Sequence, residues 1–124
     1  MSKPPTKISI WGEPPNIDAA AARLTASFGP ALLVTKTFPT FCELGHPGSG
    51  KGNALKHLAG LLGIGQAQTV AVGNGPNDVD MLEWAGLGIA VAATPQEVIA
   101  AADWVIDPQS GDSLSQVVDR LVRM

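Results

Sequence analysis

From residue 51 onward, short wholly apolar runs alternate with helix-length amphipathic segments, and few folds accommodate that alternation. Leu55, Leu58, Ala59 and Leu62 recur at i, i+3, i+4 and i+7, the stripe of a helix that Gly63 can end. Thr69 to Val72 is a short apolar run of the kind a parallel sheet buries on both faces. Asn77 to Ala85 reads as a second helix with Val79, Leu82 and Ala85 on one side, and Leu87 to Ala92 as a second buried strand. Thr94-Pro95-Gln96-Glu97 has the form of a capping box with proline at the first helical position, opening a third helix to Ala102. Trp104 to Ile106 is a third short strand, and Ser113 to Gln116 offers another capping box before a last helix carrying Leu114, Val117, Val118 and Leu121. Units of this length in this order predict right-handed parallel βα connections in an α/β layer.

The first part of the chain has a different pattern. Ile8, Ile10 and Trp11 suggest a short strand closed by Gly12 and Pro14-Pro15. Asn16 to Phe28 is an Ala-rich helix with Ile17, Ala20, Ala21 and Leu24 at helical spacing, stopped by Gly29-Pro30. Ala31 to Val34 and Phe38 to Leu44 are β-prone, and a hairpin around Lys36-Thr37 is expected between them. The Gly-rich stretch Gly45 to Gly52 then marks a boundary, giving residues 1–50 and 51–124 as the two portions.

At 124 residues this is one compact domain or a piece of a larger one, able to bury roughly two thirds of its unfolded surface. A net charge of −3 with eight scattered Lys and Arg gives nucleic acid no basic patch to bind. The single cysteine, Cys42, rules out an internal disulfide or a multi-cysteine zinc site and reads as a small packing residue. Met-Ser-Lys-Pro-Pro carries no apolar signal core, and no run approaches the ~20 residues of a membrane span, so a cytoplasmic location is expected.

Two Gly-rich loops compete as the seat of chemistry. Gly45-His46-Pro47-Gly48-Ser49-Gly50-Lys51-Gly52 nearly matches the phosphate-cradling P-loop, but Gly52 stands where that motif has the hydroxyl that holds Mg²⁺. Gly73-Asn74-Gly75-Pro76-Asn77-Asp78 lies between an apolar strand and a helix, at the strand's carboxyl end, where open α/β sheets place their ligands.

The run from Gly73 to Leu82, GNGPNDVDML, resembles the last signature of haloacid dehalogenase-like (HAD) phosphatases of the Cof-like subfamily, usually GDGxND followed by Met-Leu. Lys51-Gly52 with Ala54-Leu55 is similar to the family's Lys-Gly-x-Ala-Leu helix start. Ala85 to Val91 and Glu97 to Asp103 resemble its next strand and helix. The likeness is specific over residues 51–124 and weaker over 7–50, which look like the closing part of an α/β cap. It implies half of a Rossmann-like parallel sheet with helices, preceded by a cap remnant.

The resemblance also implies roles. Lys51 matches the lysine that binds the transferring phosphoryl group, where a cation offsets charge on its oxygens. Asn74 sits where the family has a Mg²⁺-ligating aspartate, an exchange that keeps an oxygen but removes a charge and weakens a hard-cation site. Asn77, with Gly75 in the same loop, falls where substrate phosphate is contacted, and Asp78 where an acidic residue supports lysine and metal. The family's Asp-x-Asp-Gly-Thr, which carries the nucleophile and the general acid/base, is absent from these residues. Asp78-Val79-Asp80 opens a helix and cannot serve in its place.

Simpler roles stand beside these. Asp78 and Asp80 can favour the positive end of a helix dipole with Asn77 as cap, and for Asp80 that is the preferred role. Lys51 can be an exposed first-turn lysine, His46 and His57 solvated side chains, and Trp11, Trp84 and Trp104 packing anchors. The expected function is a HAD-type phosphatase module hydrolysing a phosphomonoester of a small metabolite with weakly held or absent Mg²⁺, inactive alone for want of the aspartyl nucleophile. A non-catalytic oligomerising or phosphate-binding module is the alternative, and a P-loop nucleotide binder the third. By the same resemblance, Thr69 to Val72 would lie beside the strand that carries the nucleophile. Without that neighbour it becomes an open edge, so a homo-oligomer or a complementing N-terminal half is the expected partner.

Overall fold

A computed structural model describes residues 3–111 and 114–123 of the chain. The elements run β1 (Lys7–Trp11), α1 (Pro14–Phe28), β2 (Leu33–Phe38), β3 (Phe41–Gly45), α2 (Lys51–Leu62), β4 (Val70–Gly73), α3 (Val79–Trp84), β5 (Leu87–Val91), α4 (Gln96–Ala100), β6 (Trp104–Ile106) and α5 (Leu114–Val122). They form two three-stranded sheets. One is antiparallel in the order β1-β3-β2, and the other is parallel in the order β4-β5-β6. This is the mixed α/β architecture expected from the alternation, with a Rossmann-like parallel layer in its second part.

In the antiparallel sheet, α1 covers one face. Ile17 inserts against Cys42 and Leu44, with Ile10, Ala21, Leu24 and Val34 around them. Cys42 is fully buried, and burial pushes its thiol above the ordinary range, which suits the packing role read from the sequence. The opposite face carries Lys7, Thr35, Thr37 and Glu43, and β2 runs past the Pro76–Asp78 turn of the second part. Trp11 packs on its cross-strand partner Phe41, ring centroids 4.2 Å apart and planes tilted by 44°.

The hairpin turns later than Lys36-Thr37. Both residues lie within β2, and the reversal is made by Pro39-Thr40. Proline presets φ for a turn and cannot donate to a ladder, whereas the β-branched threonines at 35 and 37 prefer the extended strand.

The parallel sheet is covered on one side by α3 and α4, where Ala71, Leu82, Ala90 and Val98 form a core. On the other side α5 covers Ile89 and Ile106 through Val117, with Trp104 packed alongside. Val70 and Val72 of β4 share that second face, but they remain 41% and 37% exposed, so the apolar run is buried on one side only. Strand β4 is also an edge of its sheet. Helix α2 shows the same imbalance: Leu55 and Ala59 pack inward while Leu58, Leu61 and Leu62 face outward. Of the two expected capping boxes, the first does not form. Pro95 itself is the N-cap of α4, the Thr94 hydroxyl reaches no helix amide, and α4 ends at Ala100 rather than Ala102. The second depends on Ser113, outside the described residues.

Helices α2 and α3 pack tightly at their starts. A Cβ built on Gly52 would lie 2.5 Å from the backbone oxygen of Asp80, closer than any carbon approaches an oxygen without displacement. Gly52→Ala is expected to destabilise the chain by about 1–3 kcal/mol through this overpacking. Urea melts of the two proteins check it, an unchanged midpoint being the contrary result.

Candidate active site

The site begins where β4 ends. Its carboxyl end delivers Gly73-Asn74-Gly75, and the chain then winds through a single 3-10 turn, Pro76–Asp78, into α3. Asp78 folds back under this loop. Its Oδ2 accepts from the Asn74 amide at 2.9 Å and the Gly75 amide at 3.0 Å, satisfying two backbone donors that the turn leaves without partners. Its Oδ1 is paired with Lys51 Nζ from the first turn of α2. Gly73 is required by the same closeness, since a Cβ there would come within 2.6 Å of the Asp78 Cβ.

Burial of the Asp78 side chain by itself raises its pKa; the Lys51 ammonium and the two amides outweigh that and hold the carboxyl below the usual carboxylate range. The Lys51 side chain is about half exposed, at 48%, and lines the cavity beside this loop.

Helix α2 has no side-chain cap of its own, because its N-cap is Gly50. Asp80 supplies one from α3: its Oδ2 accepts from the Gly52 amide at 2.9 Å. The sequence reading gave Asp80 to its own helix dipole. It does lie in the first turn of α3, and it also caps the neighbouring helix, which fixes the start of α2 and hence Lys51. Nothing in the local sequence signals a cap reaching across 28 residues.

Asn77 is half-buried between this loop and the hairpin, and its Nδ2 donates to Thr37 Oγ1 at 3.5 Å. Together the loop, Lys51, the hairpin residues Lys36 to Pro39, and Pro95 line a cavity of about 460 Å³. Of the residues singled out in the sequence, Lys51, Asn74, Gly75, Asn77 and Asp78 all line it. The hairpin contribution was not foreseen.

The other Gly-rich loop is closed on itself. The Gly48 amide donates to His46 Nδ1, the Ser49 amide to His46 O, the Gly52 amide to Asp80 and the Ala54 amide to Gly50 O. A P-loop needs such amides converging on phosphate, and the carbonyl against Gly52 leaves no room for the missing hydroxyl side chain. The nucleotide-binding reading therefore lacks its cradle. His46 is exposed and serves this turn, and His57 is exposed on α2.

A divalent cation does not fit the residues present. Both Asp78 oxygens are engaged, Asn74 offers one neutral oxygen, and no group of three His, Cys, Asp or Glu converges among the described residues. Mg²⁺ demands near-octahedral oxygen coordination and is usually held through carboxylates.

Because the folded pKa of Asp78 is depressed, its contribution to stability is complete above the unfolded value of about 3.9 and lost as pH falls through the lower folded value. Asp78→Ala, which strands two loop amides, is expected to cost about 1–3 kcal/mol at neutral pH. The deficit relative to the parent should shrink below pH 4. Denaturant melts across pH 3–7 measure both, and a deficit that does not vary with pH is the contrary result.

Residues 1–118 match the family of haloacid dehalogenase-like hydrolases. The Bacillus subtilis (strain 168) protein YxeH, described as a phosphatase, is 31% identical over 116 residues, covering 94% of the chain and 43% of that protein. A phosphoglycolate phosphatase of Methanoculleus marisnigri is 42% identical over 74 residues, covering 60% of the chain and 32% of that enzyme. Among solved structures, a haloacid dehalogenase-like hydrolase from Bacteroides thetaiotaomicron superposes with a TM-score of 0.74 at 26% identity, covering 98% of the chain and 46% of that structure. The HAD subclass IIB sugar phosphatase BT4131 superposes at 0.82 with 23% identity, a likeness of fold that covers 98% and 45%. The chain thus spans less than half the length of the curated relatives it matches. With the family model matched along nearly its whole length, the chain belongs to the haloacid dehalogenase-like hydrolases.

Proposed function

We propose that this chain is the phosphate-recognising half of a phosphomonoester hydrolase. The observation that carries the reading is the Lys51–Asp78 pair beside an open cavity at the carboxyl end of β4, with Asn77 on its wall. In this reading Lys51 offsets negative charge on the phosphoryl oxygens, Asn77 and the Gly75 region contact the phosphate, and Asp78 holds lysine and loop in register. In this reading Asp78 is not the nucleophile, because three donors, the Lys51 ammonium and two loop amides, already hold its two oxygens and lower their nucleophilicity. The nucleophilic carboxylate therefore comes from a strand outside these residues. Magnesium dependence belongs to the complete enzyme, for which this chain offers the Asn74 side-chain oxygen. A small phosphorylated metabolite is the substrate class that the relatives' names and the cavity's size support. Residues 1–50 act as the cap remnant over it, and residues 51–124 as the core. A cytoplasmic setting is part of the same proposal. Among the described residues no helix is long and apolar enough to cross a membrane, and no basic patch favours nucleic acid.

Two outcomes are expected. The chain alone does not turn over p-nitrophenyl phosphate with Mg²⁺, while orthophosphate perturbs the amide resonances of Gly75 and Asn77, and Lys51→Ala abolishes that perturbation. Turnover abolished by Lys51→Ala would overturn the first expectation, and an absence of any phosphate response would overturn the reading of the site.

A second observation favours assembly. Strand β4 is an unblunted edge with Val70 and Val72 bare, and the outward leucines of α2 are bare as well. Such an edge templates strand pairing, and a two-fold homodimer through β4 is the simplest closure. Sedimentation at tens of micromolar is expected to show a dimer that Val70→Lys dissociates with the fold intact by circular dichroism. A monomeric parent, or a dimer that survives the lysine, is the contrary result.

A further inference from the structure

Three strands of the antiparallel sheet converge on Asn77 through a single file of hydrogen bonds. Glu43 on β3 has Ser9 and Thr35 as its lateral neighbours, so its diagonal neighbours on the same face are Lys7 on β1 and Thr37 on β2. Lys7 Nζ donates to Glu43 Oε1 at 2.8 Å, and Thr37 Oγ1 donates to Glu43 Oε2 at 2.9 Å. The next link is Asn77 Nδ2 to Thr37 Oγ1 at 3.5 Å, which crosses from the sheet to the β4 loop.

The direction of these bonds is fixed by chemistry. An ionised carboxylate only accepts, and a hydroxyl has one proton to give. Glu43 is held in its ionised form: the Lys7 hydrogen bond, helped by Thr37 and by the charges of Lys7 and Lys51, outweighs burial and keeps its carboxyl below the usual range. Thr37 must therefore spend its proton on Glu43 and can only accept from the other side. The Asn77 group facing it has to be the amide nitrogen rather than the carbonyl oxygen. A carboxamide has two N–H groups on that nitrogen, and the second has no other protein acceptor among the described residues.

We infer that the Glu43–Thr37 pair is a positioning device that locks the Asn77 carboxamide with its NH₂ toward the cavity, as a donor to an anionic ligand held beside Lys51. The inference rests on the anion reading of the site given above. The negative charge of Glu43 does not oppose such a ligand strongly, because Lys7 neutralises it from the far side. Thr37 and Glu43 do not touch the anion in this scheme. They act through Asn77, and they tie its orientation to the hairpin that lines the opposite wall of the cavity.

The test uses the full chain with ¹⁵N-labelled side-chain amides and orthophosphate as the probe. Thr37→Val keeps the shape and β-branching but removes the hydroxyl. Glu43→Gln keeps the size but lets the carboxamide donate to Thr37, which frees the threonine proton for either orientation of Asn77. In the phosphate-free chain both variants are expected to shift the Asn77 side-chain amide resonances, and Thr37→Ser is expected to restore them. In titrations the same two variants are expected to bind phosphate roughly three- to tenfold more weakly, with Thr37→Ser close to the parent. Asn77 resonances that ignore Thr37→Val in the free chain overturn the inference whatever phosphate does. Equal phosphate affinity in the parent and Thr37→Val overturns it while leaving the anion site standing. A parent that shows no phosphate response overturns the anion reading, and with it the proposed purpose of the lock.

Discussion

A buried carboxylate can stay charged only if the groups around it replace the water it has lost. Asp78 meets that condition with three donors drawn from two places: the Asn74 and Gly75 amides of its own loop, and the Lys51 ammonium of α2. The rest of the site follows from this. The loop must curl so that two successive amides point at one oxygen, which needs Gly73 where the Asp78 Cβ comes close. The start of α2 must lie close enough for Lys51 to reach, which needs Gly52 against the Asp80 carbonyl and the Asp80 carboxylate as its cap. One acidic dipeptide spacing, Asp78 and Asp80, thus holds the lysine twice, once through its charge and once through its helix.

How much of this was legible in the sequence depended on how local each cause is. The strand–loop–helix from Val70 to Trp84 could be read because an apolar run, a glycine turn and helical spacing adjoin one another, and the family motif lies on them. The hairpin turn was misplaced because β-propensity and turn propensity overlap across Thr35 to Thr40. Only the ladder, with its irregularity between Lys36 and Phe38, decides for Pro39-Thr40. The expected capping box at Thr94 failed because Pro95 took the cap position itself, after a left-handed residue at Ala93 redirected the chain. Partners distant in sequence left no trace at all. Asp80 with Gly52 and Asn77 with Thr37 are pairs that topology creates, and no spacing rule anticipates them.

The apolar pattern and the packing also disagree in an instructive way. Leu58 and Leu62 belong to the single apolar stripe of α2, and Val70 and Val72 to a run of the kind a sheet buries on both faces, yet all four remain exposed. Where α5 lies across the sheet, the same pattern is satisfied: Ile89 and Ile106 are buried under Val117. The periodicity therefore reports the environment for which these elements are composed. The bare portions mark surface able to bury more than this chain provides, the kind of exposed apolar area that signals an interface.

Site and bare edge share one strand. Val70 and Val72 flank Ala71 in β4, and two residues beyond Val72 the same strand becomes the Asn74 loop. A chain that pairs with this edge in the parallel sense, in register with β4, brings its own carboxyl end beside Lys51, because parallel strands end on the same side of a sheet. An antiparallel neighbour, as a two-fold partner through β4 must be, puts its amino end there and its own loop at the far side. The two kinds of occupant thus have different chemical consequences. Under the proposed function, the parallel one sets its carboxyl end on the side of the sheet where the Asn74 loop lies, and the antiparallel one extends the sheet while setting its carboxyl end on the opposite side. Under the proposed function, the orientation of whatever covers β4, more than its affinity, decides whether this loop only recognises phosphate or takes part in hydrolysing it.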